Sequence, residues 1–83
     1  MGRTIEEEIV AIVSEISGVE EEDITPDDTY EEDLDMDSVN GIELIVALEK
    51  KFRISIRDES VPNIRTIRDT FELVNHLLSL KSE

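Results

Sequence analysis

The stretch DLDMDSVNGIELIVALEKKF, residues 33–52, decides how this chain folds. Its second part spaces apolar residues three and four positions apart, which is typical of an amphipathic helix. Its first part places Asp33, Asp35 and Asp37 two residues apart and ends on Ser38. The stretch therefore predicts a helix that begins at a serine directly behind a cluster of acids.

A first helix is predicted over about residues 4–17. Thr4 can cap its N-terminus, and Gly18 suits the left-handed residue that commonly ends a helix. Its apolar residues recur at helical spacing, while glutamates occupy the other faces. These apolar residues, which we expect to be buried, are Ile5, Ile9, Ile12, Val13 and Ile16.

The second helix is predicted over about 38–52 and a last helix over about 67–80. We expect the second helix to turn one apolar face inward, made of Ile42, Ile45, Val46, Leu48 and Phe52. Thr66 and Asp69 have the spacing of a capping box at the start of the last helix, with Asp in place of the usual Glu. The last helix is expected to bury Ile67, Phe71, Val74, Leu77 and Leu78.

Residues 19–36 contain ten acids and Pro26 and show no helical periodicity. We predict a long loop here, held to the core by Ile24, Tyr30, Leu34 and Met36. The alternation in residues 33–37 could also form a short strand, but no second strand-like segment offers a partner. Residues 58–62 are long enough for one short third helix, which Pro62 would end.

A chain of 83 residues can build one hydrophobic core and is too short for two. The helical segments therefore predict an all-α fold, a small four-helix bundle of three longer helices and one short third helix. A long loop separates helices one and two. Residues 1–83 are expected to form a single domain.

Charge is distributed unevenly along the chain, whose net charge is −14. Residues 1–49 hold seventeen acids and one base, whereas residues 50–83 hold five acids and seven bases. Such a field repels nucleic acid and anionic membranes and attracts proteins with basic patches. No apolar run approaches the ~20 residues of a membrane span, and the absence of cysteine fits a reducing compartment. We expect a cytoplasmic monomer with protein partners, without membrane insertion or nucleic-acid binding.

Two chemical roles for the acids and the serine can be set aside. The aspartates of residues 33–37 match the first positions of an EF-hand loop, but Ser38 stands where glycine is required and Leu44 where glutamate is required. A nucleophilic serine needs a general base that a third group holds in position. The sequence has one histidine, His76 in the last helix, and no residue pattern around it indicates such a group. We expect no metal site and no catalytic activity.

Taken alone, Asp37 and Ser38 could simply start a helix, since both residue types are common there. The wider pattern points further. It resembles acyl carrier proteins, whose attachment motif Asp-Ser-Leu heads their second helix, through Asp37-Ser38-Val39, Ile42-Glu43-Leu44, Ala47-Leu48-Glu49 and Phe52. The resemblance spans nearly the whole chain, including the first-helix stripe, the long loop with Leu34 and the threonine before the last helix.

The resemblance implies a carrier and not an enzyme. Ser38 would carry 4'-phosphopantetheine, transferred from coenzyme A by a phosphopantetheinyl transferase, and the thiol of this arm would hold acyl groups as thioesters. Acyl-transferring and condensing enzymes with basic patches would be its partners, recognised at Asp35, Asp37, Val39, Glu43 and Glu49. An acyl pocket between helices two and three would be lined by Val46, Ile54, Ile56, Val61 and Ile64.

The pattern also departs from the family. Val39 stands where leucine is usual, and a region that is acidic in typical fatty-acid carriers holds the bases Lys50, Lys51, Arg53 and Arg57. We therefore expect a specialised carrier in a dedicated lipid or secondary-metabolite pathway. Two alternatives stay open: an acidic adaptor that is never modified, and a weak divalent-cation binder built on residues 19–37.

Overall fold

The second helix, α2 (Ser38–Phe52), has the predicted bounds in the computed structural model, which describes residues 3–81. The outermost residues of the predicted 1–83 domain lie outside this range. Arg53 ends α2 in the left-handed conformation, with φ of 55°. Lys81 donates from Nζ to the carbonyls of Phe52 and Arg53, at 3.1 and 2.8 Å. These bonds satisfy carbonyls that a helix end leaves without an intrahelical partner.

Helix α1 (Ile5–Ser17) begins and ends as the sequence predicts. Thr4 and Glu7 form a capping box, in which each side chain accepts the backbone N–H of the other residue, at 3.1 and 2.9 Å. These hydrogen bonds, chiefly the one from the Thr4 backbone, lower the pKa of Glu7. Gly18 takes the left-handed conformation, with φ of 80°, and its N–H donates to the carbonyl of Ser14. Both ends of α1 are therefore fixed by local hydrogen bonds.

Helix α3 (Ile67–Lys81) starts at the predicted capping box. Thr66 Oγ1 accepts the N–H of Asp69, and Asp69 Oδ2 accepts the N–H groups of Thr66 and Arg65, all at 3.0–3.1 Å. These backbone donors, first that of Arg65, lower the pKa of Asp69. Aspartate thus serves here in place of the usual glutamate.

The connections are more structured than the sequence indicates. The long loop holds a 3₁₀ turn, Glu21–Asp23, and the predicted short third helix is a 3₁₀ helix, Asp58–Asn63. The prediction that Pro62 ends this helix was wrong, because Pro62 lies inside it. Residues 33–37 do not form a strand, and the β-pairing within residues 3–81 is one isolated bridge between Thr29 and Thr66. The all-α fold and the small helical bundle are confirmed. No helix in the described part of the chain is both long and apolar enough to span a bilayer.

The core forms where α1 lies against both α2 and α3. Its fully buried side chains are Ile9, Val13, Leu48, Ile67, Thr70 and Val74. The long loop contributes Ile24, Leu34 and Met36, as predicted, and the segment after α2 adds Ile54 and Ile56. The connections therefore complete the core instead of only joining the helices.

The predicted buried face of α2 was wrong in part. Ile42 and Val46 are 64% and 44% exposed, whereas Leu44, which was not predicted to be buried, lies in the core with Leu48. Ile45 and Phe52 are partly buried against the core, as predicted. Apolar residues occur on more than one side of α2, so their spacing alone does not say which side meets α1.

Tyr30 joins the long loop to α3. Its hydroxyl is hydrogen-bonded to the hydroxyl of Thr70, and its N–H donates to the carbonyl of Arg65 at 3.0 Å. Its carbonyl accepts the N–H of Met36 at 2.8 Å. Burial of the phenol raises the pKa of Tyr30 to about 12. The hydrogen bond with Thr70 lowers this pKa by a smaller amount, and the charge of Asp69 raises it further. The neutral phenol is therefore part of the folded state.

Replacing Tyr30 with phenylalanine should change the response of stability to alkaline pH. Unfolded tyrosine loses its proton near pH 10, so the wild type should lose ~2–3 kcal/mol of folding free energy between about pH 10 and pH 12. Tyr30→Phe should be less stable than the wild type by ~1 kcal/mol at neutral pH, because Thr70 loses a hydrogen-bond partner. Its free energy of unfolding should nevertheless fall less steeply as the pH rises. Urea unfolding across this range measures both slopes. Parallel curves for the two proteins would contradict the role of the buried phenol.

Candidate functional site

Ser38 is the first residue of α2 and is exposed. Asp37 before it caps the helix, as the sequence predicts: its carboxylate accepts the N–H of Asn40 at 2.9 Å. The side-chain oxygen of Asn40 accepts the N–H of Asp37 in return, at 3.3 Å. This reciprocal pair fixes the start of α2 and leaves the Ser38 side chain at its solvent-facing end.

The start of α2 suits an attached anion. The N–H groups of Ser38 and Val39 have no hydrogen-bond acceptor within residues 3–81, because the Asp37 cap serves Asn40 instead. Free amides and the helix dipole favour a negative charge by ~0.3–1 kcal/mol at an exposed site. The carboxylate of Asp37 opposes this by like charge. An anion attached to Ser38 would therefore be held weakly and keep its mobility.

A cavity of about 660 Å³ opens beside Ser38. This volume lies in the range of small-molecule sites. Its apolar wall consists of Met36, Leu44, Ile45, Val61 and Ile64, and its other lining residues are Thr29, Tyr30, Glu31, Glu32, Asp37, Ser38, Gly41, Pro62 and Arg65. Open space surrounds the position where Gly41 would carry a Cβ, so this glycine is not required by a contact within the protein.

The predicted acyl-pocket residues are divided between three environments. Val61 and Ile64 line the cavity beside Ser38. Ile54 and Ile56 are buried in the bundle core. Val46 is close to half exposed on α2, away from the lining of this cavity. The structure therefore brings two of the five predicted residues to the cavity.

The predicted partner-recognition residues all lie in or near α2 but differ in exposure and in hydrogen bonding. Asp35 is exposed and has φ of 53°, and Val39 is 62% exposed. Glu43 is exposed and accepts a hydrogen bond from the side chain of Asn40 at 3.2 Å. Glu49 is partly buried, and its carboxylate accepts the N–H of Ile56 at 2.8 Å. Glu49 thus fastens the segment after α2 to that helix.

The bases that depart from the family pattern lie in the last turn of α2, ~18 Å along the axis from Ser38, and in the segment that follows it. Lys51 forms a salt bridge with Glu8 of α1 at 3.0 Å, while Arg57 pairs with Glu59 at 3.3 Å on the surface. Lys50 and Arg53 are exposed and have no ion pair among the described residues. One of the four bases therefore has a structural partner in the bundle.

The acids of the long loop are used to shape it. Asp28 accepts hydrogen bonds from the N–H and hydroxyl of Thr25, both at 2.9 Å, and Asp33 accepts those of Thr29 at 2.8 and 3.1 Å. Asp27 forms a salt bridge with Arg68 at 2.9 Å. Within residues 3–81, no three acidic or histidine side chains converge as a metal site would require. These bonds give three of the ten loop acids a role in the fold.

Two features of the site were missed in the sequence. Val39, Ile42 and Val46 form an exposed apolar strip on α2 next to Ser38. Their spacing of three and four residues could have indicated a second apolar face. Arg65, which follows the 3₁₀ helix in the sequence, lines the cavity beside Ser38. No local sequence pattern predicts that these two residues share a cavity.

Comparisons with known proteins agree with this geometry. The family model described as "Phosphopantetheine attachment site" matches residues 7–74. An acyl carrier protein of Thermosynechococcus vestitus is 36% identical over 70 residues, covering 84% of this chain and 86% of the relative. One of Acidothermus cellulolyticus is 34% identical over 66 residues, covering 80% and 79%. The crystal structure of an acyl carrier protein from Thermotoga maritima matches with a TM-score of 0.75 at 29% identity, covering 94% of this chain and 96% of that one.

Substitution of Asp37 should separate its capping role from its charge. Asp37→Ala should lower the free energy of unfolding by ~0.5–2 kcal/mol, because the N–H of Asn40 loses its acceptor. Asp37→Asn keeps an acceptor and should stay within ~0.5 kcal/mol of the wild type. Urea unfolding at neutral pH measures both. Equal losses in the two variants would show that the charge, and not the cap, stabilises the start of α2.

Proposed function

The chain belongs to the acyl carrier protein family, whose members carry covalently attached 4'-phosphopantetheine, and on this premise we propose that Ser38 is the attachment residue. The observation that carries the proposal is the position of Ser38: exposed, at the start of a capped helix, and beside a cavity with an apolar wall. The hydroxyl is open to a transferase, and the cavity lies next to it. These residues fit the group.

Each part of the site would have a distinct task. The free amides of Ser38 and Val39 would stabilise the negative charge of the phosphodiester, while Asp37 keeps the helix start in place. The bound arm supplies a thiol for thioester formation, which this chain lacks because it has no cysteine. The apolar wall can shelter an acyl chain from water, worth up to ~0.8 kcal/mol for each buried methylene.

Loading tests the attachment residue. Incubation with coenzyme A and a phosphopantetheinyl transferase should add the mass of one phosphopantetheine to the wild type and none to Ser38→Ala. Ser55→Ala, which alters another exposed serine, is the matched control and should load normally. Circular dichroism should stay nearly unchanged in both, because neither side chain is in the core.

The loading result also separates the competing functions. An unmodified acidic adaptor would gain no mass at all, whereas attachment elsewhere would leave Ser38→Ala fully loaded. Either result would contradict the proposal.

We further propose the cellular setting of this carrier. It acts as a single domain over residues 1–83 and as a monomer in the cytoplasm, without catalysing a reaction itself. The arm is added by a phosphopantetheinyl transferase, and acyl-transferring and condensing enzymes with basic patches then meet the acidic surface near Ser38. Exposed Asp35, Val39 and Glu43 are the proposed contacts, together with Ile42 of the apolar strip.

We also propose that this carrier serves a dedicated lipid or secondary-metabolite pathway. The support is the positive charge of exposed Lys50, Arg53 and Arg57, at the far end of α2 and just after it. These bases would repel an enzyme whose basic docking surface is complementary to an acidic helix. Lys51 supports this proposal less than the other bases do, because its salt bridge with Glu8 gives it a role within the bundle.

Reversing three of these charges tests the specialised role. The variant Lys50→Glu/Arg53→Glu/Arg57→Glu keeps Lys51 and therefore keeps the salt bridge to Glu8. With a condensing enzyme of fatty-acid synthesis that has a basic docking surface, its kcat/KM should rise about 3- to 100-fold at low salt, since exposed charge contacts contribute ~0.2–1 kcal/mol each. The gain should shrink at high salt. Equal kcat/KM for wild type and variant at low salt would mean an ordinary carrier with an unusual surface.

A further inference from the structure

A basic residue lines the cavity beside Ser38. Among the described residues that line it, Arg65 is the base, while Glu31, Glu32 and Asp37 are acids. In a chain with 22 acidic residues, a carboxylate-rich cavity wall needs no explanation. An arginine among the lining residues does, because its permanently charged side chain can bring a positive charge to this part of the surface.

The main chain of Arg65 is held from two sides. Its N–H donates to Asp69 Oδ2 at 3.0 Å, and its carbonyl accepts the N–H of Tyr30 at 3.0 Å. The neighbouring Thr66 pairs with Thr29 in the isolated bridge. The root of the Arg65 side chain is therefore fixed on the cavity wall by the loop and by the cap of α3.

The guanidinium of Arg65 has no ion pair within residues 3–81. By contrast, Arg3, Lys51, Arg57 and Arg68 each lie within 3.5 Å of a carboxylate. Asp69 is close enough for Arg65 to contribute to its lowered pKa, but its Oδ2 already accepts two backbone N–H groups. The planar, permanently charged side chain of arginine is well suited to paired hydrogen bonds with carboxylate or phosphate oxygens.

We propose that Arg65 binds an anionic oxygen group that the arm on Ser38 brings to the cavity, either the phosphodiester of the arm or a carboxylate on its acyl group. This inference rests on the proposed attachment at Ser38. Because the acids of the cavity disfavour anionic cargo, Arg65 is the residue that lets the cavity accept it. Arg65 therefore positions the arm or selects acyl groups that end in a carboxylate.

Three loaded forms distinguish the two sources. A permissive phosphopantetheinyl transferase can load Ser38 from coenzyme A, pentanoyl-coenzyme A or glutaryl-coenzyme A, the last two having acyl chains of equal length that end in a methyl or a carboxylate. Intact mass confirms each form before further measurement. The Arg65 Hε resonance in ¹H–¹⁵N spectra then reports contact in the wild type, without any substitution. Thermal unfolding of the wild type and of Arg65→Gln reports the energetic consequence.

A carboxylate contact should shift the Arg65 resonance only in the glutaryl form and raise its Tm by about 2–4 °C over the pentanoyl form, as expected for one charge pair in a domain of this size. A phosphodiester contact should shift the resonance equally in all three forms relative to the unloaded chain. In the case of the carboxylate contact, Arg65→Gln should lose the Tm difference, whereas Arg53→Gln, which removes an unpaired arginine at the other end of α2, should keep it.

Normal loading with an unchanged Arg65 resonance in every form would overturn this inference and leave the attachment at Ser38 standing. If the Arg65 resonance shifts only in the glutaryl form, an equal, nonzero Tm difference between the glutaryl and pentanoyl forms in Arg65→Gln and Arg53→Gln would also overturn the inference, because it would reflect total charge alone. Failure of the wild type to gain mass would overturn the attachment at Ser38 and this inference together.

Discussion

The burial of one face of α1 between α2 and α3 is the constraint on which the rest of the structure depends. Ile9 and Val13 have no exposed surface, and α1 lies against both longer helices. In a domain this small, few other side chains are fully buried, so the position of α1 determines which sides of α2 and α3 face inward. Leu44 and Leu48 turn toward the core as a result, and the apolar strip that includes Ile42 stays in solvent.

That orientation leaves the start of α2, with the proposed attachment residue Ser38, open to the surface. The side of α2 away from α1 remains available to partners, and Ser38 opens both to solvent and to the cavity. The cap formed by Asp37 and Asn40 joins residues three positions apart, so it can hold the helix start without covering the serine. Core packing and the accessibility of the proposed arm are therefore compatible, because Leu44 and Leu48 are buried along the helix while Ser38 stands exposed at its end.

The acidic surplus is partly structural. Asp28, Asp33 and Asp69 accept backbone N–H groups that turns and helix ends would otherwise leave unsatisfied, and Asp27 pairs with Arg68. These bonds give a long, proline-containing connection a defined path over the core. Asp35 and Glu43 remain exposed near the start of α2, and Lys50 and Lys51 in its last turn give the helix opposite charges at its two ends.

The amino-acid sequence by itself determined the features that depend on neighbouring residues. The bounds of α2, the end of α1 at Gly18 and the capping box of Thr66 and Asp69 follow from hydrogen bonds between residues only a few positions apart, as does the place of Ser38 at a helix start. The tertiary structure alone decided that Leu44 is buried, that Val46 is not, and that Arg65 lines the same cavity as Ser38, as it decided the pairing of Lys51 with Glu8. These contacts join distant segments, and helical spacing cannot predict them because it fixes the faces of one helix but not the direction from which another helix approaches.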